Sequence, residues 1–320
     1  MAAGDKVTNA FDTYTSVGIR EDLSSQIFDI SPTDTPFLNG IGRRNVSNVT
    51  FDWQVDSLPS PGANAQLEGE ELNRSASTAT TRHSNTCQIS FKDATVTGTA
   101  RKVNTAGRRD ELAYQMAKAA KALKRDVEFV LLNNTAENAG DATTARTTGS
   151  MGAWVTTNTS INAGSGSPTA VGTALNGNNP RTNASAQRDI SAALINAVMK
   201  LCYDNGAEPS KMYLTSGAKQ TFSTLSGRTN DRYMQTKSTI DANVDVYVSD
   251  FGTLTAIPSR QNQATDAWII DPDFVSVAML RPFQTMELGR IGDSDTRMIL
   301  IEYGLEMKNE QAHAAIFDLN

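Results

Sequence analysis

A chain of 320 residues with 39% hydrophobic content can fill one large core or two ordinary ones. It holds no run near the roughly 18 apolar residues that cross a bilayer, and its start lacks the charged-then-apolar order of a secretory signal. A net charge of −6, with Lys and Arg scattered among carboxylates, argues against a surface that grips nucleic acid.

Residues 1–45 read as an extended arm with one helical patch at 20–30, where Leu23, Ile27 and Ile30 share a face and Glu21 and Asp22 occupy the first turn. Pro32 and Pro36, four apart in Ser31-Pro32-Thr33-Asp34-Thr35-Pro36-Phe37-Leu38, predict an extended path there. From 46 to 103 the period changes to two. Val49, Phe51, Trp53 and Val55 alternate with polar neighbours, and Ile89, Phe91 and Val96 read as the returning strand. Between them 57–85 is polar, holding Pro59, Pro61 and Gly62, then Glu68, Glu70, Glu71, Arg74 and Arg82. A two-stranded arm of that kind is not stable alone and needs a surface to lie on.

Leu112, Met116, Ala119, Leu123, Val127, Val130 and Leu131 recur at three and four, so 105–134 is the clearest helix, about 45 Å at the standard rise. Lys118, Lys121, Lys124, Arg125 and Glu128 fill its other face. Residues 135–186 are rich in Gly, Thr, Asn, Ser and Ala, and 147–180 carry no charge, which predicts a surface loop or insertion docked at Trp154 and Val155. A second pattern follows. Ile190, Leu194, Val198 and Leu201 define a helix closed by Gly206, Lys211–Leu214 is a strand, and Ser216 caps a short helix. Val244, Val246 and Val248 turn through Asp250-Phe251-Gly252 into 254–257, a hairpin. Further strands fall at 268–270, 275–280 and 299–307. Helices and strands mix without regular βαβ repetition, so the class is α+β.

Reactive groups are few. His83 lies in the polar arm and His313 near the C-terminus, neither beside a nucleophile motif. Cys87 and Cys202 have no zinc-type spacing and suit free thiols in a reducing compartment. Gly164-Ser165-Gly166-Ser167 lacks the Lys-Ser/Thr of a phosphate loop. Asp271-Pro272-Asp273 and Asp293-Ser294-Asp295 read as turns rather than calcium loops. Glu302 and Glu306 share one face of a strand, where they line the exposed side of a sheet or meet a neighbour's Arg. No catalytic, cofactor or metal site is expected.

The order of parts resembles the Hong Kong 97 capsid fold, and the motifs resemble one branch of tailed-bacteriophage major head proteins. The resemblance covers nearly the whole chain. At the N-terminus it is carried by Arg20-Glu21-Asp22-Leu23 and Ile30-Ser31-Pro32-Thr33-Asp34-Thr35-Pro36-Phe37-Leu38. In the C-terminal half it is carried by Val246-Tyr247-Val248-Ser249-Asp250-Phe251-Gly252, Leu280-Arg281-Pro282-Phe283, Gly292-Asp293 and the run Tyr303-Gly304-Leu305-Glu306-Met307-Lys308-Asn309-Glu310-Gln311-Ala312. It implies an N-arm (1–45), an E-loop ribbon (46–103), a P-domain spine helix (104–146), the loop or insertion (147–186), an A-domain (187–265) and return strands completing the P-domain (266–320).

The function implied is a structural subunit that self-assembles into hexamers and pentamers of an icosahedral or prolate head. That head encloses double-stranded DNA without sequence-specific binding. No membrane is involved. Glu68, Glu70, Glu71, Arg74 and Arg82 of the loop, Pro36 and Phe37 of the arm, and Arg228 and Arg232 near the capsomer axis are the candidate intersubunit contacts. The motif begins within about twenty residues of Met1, leaving no room for a cleaved scaffolding segment, so a separate scaffolding protein is implied. A portal is a further partner, with room for a decoration protein. No lysine lies between Asp56 and Asn85, so the family's Lys–Asn weld has no lysine at the loop tip and a non-covalent shell is expected. Two other readings stay open at this point: an encapsulin-type compartment of the same fold, and a secreted adhesive β-protein.

Overall fold

The structure, a computed structural model, describes residues 33–69, 71, 79–103, 110–162, 177–178, 180–181, 186–225, 245–290 and 292–320. The helical patch expected at 20–30, Val244 and the 164–167 stretch lie outside them.

The chain enters its own core at once. A one-turn helix, α1 (Pro36–Gly40), begins at Pro36, where the missing N–H costs nothing. The extended path expected from the two prolines is therefore wrong at the second one: Pro36 starts a helix rather than stopping it. Phe37 is 0% exposed and meets Tyr213 edge-on at 5.5 Å. Burying such a ring is worth about 1.5–3 kcal/mol. That burial lies within the subunit's own core. Strand β1 (Gly42–Asn45) then runs parallel to β10 (Val275–Glu287).

The ribbon pairs differently from expectation. β2 (Thr50–Val55) pairs antiparallel with β3 (Thr81–Thr86), placing Trp53 opposite His83. The segment expected to return along β2 is β4 (Gln88–Thr97), which pairs with β11 (Ser294–Met307). β3 was invisible to periodicity because Thr-Arg-His-Ser-Asn-Thr carries no hydrophobic alternation. The four-stranded sheet has the order β1-β10-β11-β4. Pro282 sits where the β10–β11 register shifts between Arg281 and Gln284, the place a sheet tolerates a residue without an N–H.

After a short helix α2 (Gly98–Lys102), the helix α3 (Glu111–Leu132) packs on one face of this sheet through Leu112, Met116, Leu123, Val127 and Leu131. The Asp110 side chain caps it, accepting from the Leu112 N–H at 3.0 Å. Its 22 residues span about 33 Å, shorter than expected because Asp110 and Asn133 at its two ends are both extended. Glu128 departs from its expected exposed position and is fully buried. It lies two turns beyond Lys121, where α1 and Ser259 roof the helix.

The stretch from 147 to 162 is interior rather than surface loop. Within it lie α4 (Met151–Trp154) and β5 (Thr159–Ser160), with Met151, Trp154 and Val155 buried. Its small polar residues satisfy backbone groups inside: the Ser150 hydroxyl donates to Asn133 O at 2.6 Å and the Asn158 amide to Gln311 O at 2.7 Å. Composition alone cannot separate such residues from solvated ones.

The second body is a six-stranded mixed sheet of order β5-β12-β9-β6-β8-β7. Its strands are β6 (Lys211–Leu214), β7 (Val246–Ser249), β8 (Gly252–Pro258), β9 (Ala267–Ile270) and β12 (Ala314–Ile316), with β5 at one edge. The β7–β8 hairpin turns at Gly252, whose φ of +139° favours glycine. Helices α5 (Ala192–Asp204) and α6 (Ser216–Thr224) pack Ile195, Val198 and Phe222 against Leu214, Leu254 and Ile269 on one face. The cap of α6 is Thr215, one residue before the Ser216 expected. The other face, through Tyr213, Trp268 and Phe317, joins the core beneath α3. The last strands are shared out: β10 and β11 stay with β1 and β4, whereas β9 and β12 enter the six-stranded sheet. Residues 266–320 therefore supply strands to both sheets.

Candidate intersubunit surfaces

The β2–β3 ribbon has a locked root and a bare tip. At the root, Phe51 stacks on Trp53 at 5.9 Å and Trp53 meets Trp154 at 5.2 Å. Gly304 of β11 admits this packing, since a Cβ there would lie 2.6 Å from the Phe51 ring. Asn85 is a fully used polar node. Its amide donates to Leu305 O at 2.7 Å and Gly149 O at 3.1 Å, and its oxygen accepts from the N–H groups of Thr86 and Gly149. Beyond Val55 every described residue from 56 to 71 is exposed, with Leu58 94% and Leu67 78% accessible. Large apolar side chains left this bare on a long extension mark a surface made for contact.

The candidate contacts separate on inspection. Glu68 and Glu71 stand exposed at the tip. Arg82 is held by Asp52 across the ribbon while its guanidinium stays accessible. Pro36 is half-buried and Phe37 is internal. Glu70, Arg74, Arg228 and Arg232 lie outside the described residues.

The groups with possible chemistry are structural. Glu302 and Glu306 are buried, not on an exposed sheet face, and their arginines come from their own chain. Glu302 accepts from Arg146 at 2.8 Å and Arg281 at 2.7 Å; Glu306 accepts from Arg44 and from the Ser276 hydroxyl at 2.6 Å. These bonds fix β1 and the 138–147 turn to the sheet. Asp271 accepts from the Asp273 N–H, the expected turn, and Asp295 bonds Arg101 and Arg290.

His313 is buried and accepts from the Asp271 N–H, and burial pulls it down to about 4. His83 lies against Trp53 and Trp154. Cys87 and Cys202 are free and buried, which pushes both thiols up, to about 11 and about 12. Among the described residues no cluster of His, Cys, Asp and Glu could hold a metal, and no helix is long and apolar enough to cross a membrane. Sequence reasoning missed Asn85, Gly304 and the buried Glu128. Periodicity could not mark them as buried nodes, because their partners are remote in the chain.

A two-sheet body whose buried carboxylates, His313 and thiols are committed to packing, and a long uncovered ribbon, has the form of a shell subunit. Solved structures share this fold: the capsid of cyanophage P-SCSP1u (TM-score 0.63, 9% identity, 99% of this chain and 100% of that one) and the capsid of a native GTA particle (TM-score 0.61, 14% identity, 99% and 100%). The major capsid protein of Escherichia phage Phieco32 is 27% identical, covering 96% of each chain. Residues 6–320 match the SU10 major capsid protein family, and the chain belongs to it. It is thus a structural capsid subunit of the virion, not an enzyme. The encapsulin and adhesin readings give way to this match.

Proposed function

We propose that this subunit builds hexamers and pentamers of a Hong Kong 97-type head around double-stranded DNA, with the ribbon tip lying on a neighbouring subunit. The observation that carries this is that 56–69 and 71 are all exposed, next to a root locked by Phe51, Trp53 and Asn85. An extension without a core of its own gains stability only by covering another surface. Head-to-tail contacts of this kind close into rings. Glu68, Glu70, Glu71, Arg74 and Arg82 of the ribbon, Pro36, and Arg228 and Arg232 form the contact set. A separate scaffolding protein and a portal complete assembly, and a decoration protein binds outside; one structural neighbour, from phage G, is solved with decoration proteins. The acidic balance of the chain suits enclosure of DNA rather than grip.

Deleting 57–80 and joining the ribbon strands by a short turn tests this. The subunit should fold, with its melting temperature close to that of the full chain, and form no closed particles in electron micrographs. Normal particles from the deleted chain would overturn the ribbon's role.

A further inference from the structure

The exposed side of α3 is a cationic ridge. Lys118, Lys121 and Lys124 recur every three residues, share one side of the helix, and are all exposed. None makes an ion pair among the described residues. Of the acids near the ridge, the half-buried Asp126 is taken by Lys92 at 2.7 Å, and Glu128 is enclosed with Leu38 and Ser259. Like charges at this spacing repel, so the isolated subunit gains nothing from the ridge. Beside it a groove of about 290 Å³ runs between α3 and β4, lined by Lys92, Asp93, Thr95, Gln115, Lys118 and Ala122. Among the described residues β4 is the outer strand of its sheet, with one backbone edge unpaired.

The complementary charge lies in the ribbon. Residues 57–73 hold glutamates and no Lys or Arg. Glu68 and Glu71 are exposed, beside a turn at Gly69 with φ of +83°. Tip and ridge are bare together in one chain, so neither satisfies the other at home. Resting on the reading that the ribbon docks on a neighbour, we propose that Glu68 and Glu71 of one copy seat against Lys118, Lys121 and Lys124 of α3 in a second copy. The stretch from Val55 to Glu68 reaches at most about 45 Å when extended, longer than α3 itself. The Pro-rich lead-in lies along the groove and brings Leu58 and Leu67 out of water.

A charge swap in the full chain tests the pairing, read as the yield of closed particles by sedimentation and negative-stain microscopy. Lys118→Glu with Lys121→Glu and Lys124→Glu lowers the yield about tenfold, as does Glu68→Lys with Glu71→Lys. All five changes together restore it to within about threefold of the unaltered chain, the signature of coupled sites. Circular dichroism of unassembled subunits checks that each variant folds; should the reversals misfold, the milder Lys→Gln set carries the same test.

A five-fold variant no better than its halves overturns the pairing. Lysine-reversed subunits that assemble at full yield and only retain less DNA would make nucleic acid the occupant, and overturn it too. The 57–80 deletion separates the two levels. If it blocks assembly while the charge changes do nothing, the ribbon docks elsewhere; if it assembles normally, the ribbon reading itself falls.

Discussion

Glu128 and His313 set opposite pH responses in one chain. Burial pushes the Glu128 carboxyl from its ordinary 4.5 up to about 7, with Asp34 adding to the rise. Between those values the unfolded chain loses the proton while the folded chain keeps it, so stability falls as pH climbs from about 4.5 to about 7 and is level above. His313 is held near 4, below its ordinary 6.5. The unfolded chain takes that proton first, so stability is lost as pH falls from about 6.5 to about 4. The two slopes oppose each other across their common window. Glu128→Gln removes one of them: its oxygen still accepts from Leu38, and its amide can donate to the Ser259 hydroxyl. The variant should melt above the unaltered subunit at pH 8, with the gap closing toward pH 4.5. A gap independent of pH would rule out the buried carboxyl as its source. Helical periodicity put Glu128 on the lysine side, and by angle it is there. Its burial was illegible because the roof comes from 36–40 and Ser259, far away in sequence.

Elements were legible where one face is apolar and unreadable where it is not. The α3 stripe from Leu112 to Leu131 stood out because burial repeats every 3.6 residues, and β11 because Ile299, Ile301, Tyr303, Leu305 and Met307 alternate in sequence with Leu300, Glu302, Gly304 and Glu306, although both of its faces are buried there. β3 packs through His83 and Asn85, so its pairing with β2 had no hydrophobic trace, and β4 was taken for its partner. Small residues at 147–162 likewise looked like loop while holding Trp154 in place. Gly304 shows how tightly these elements meet. An added Cβ would sit 2.6 Å from the Phe51 ring and 3.1 Å from Thr86 O, and Phe51 is boxed in by Trp53. Gly304→Ala should therefore cost about 1–3 kcal/mol by overpacking, measured by denaturant unfolding, and loosen the ribbon root enough to raise protease cleavage near Val55. Unchanged stability would mean the ring moves aside freely and the root is not the lock inferred from its contacts.

At the scale of the whole molecule, the class α+β was readable because helices and strands mix without βαβ repetition, and the capsid resemblance because weak motifs fall in one order along the chain. The crossing of 266–320 between two sheets was not, since a strand's neighbours are chosen by tertiary contact. The same scale decides how the shell is held. An isopeptide weld needs an amine placed against an amide or carboxyl group, and the ribbon carries no lysine from Asp56 to Asn85. The nearest lysine after it, Lys92, is already bonded to Asp126 at the side of α3. The neighbour-facing contacts are then apolar and ionic, and their ionic share is screened by salt. Mature particles boiled in denaturing detergent should run as one band at the 34.4 kDa subunit mass, and unboiled particles should loosen as salt is raised. A ladder of multiples would refute the non-covalent shell and point to an amine outside the ribbon, with the exposed lysines of α3 the first to substitute.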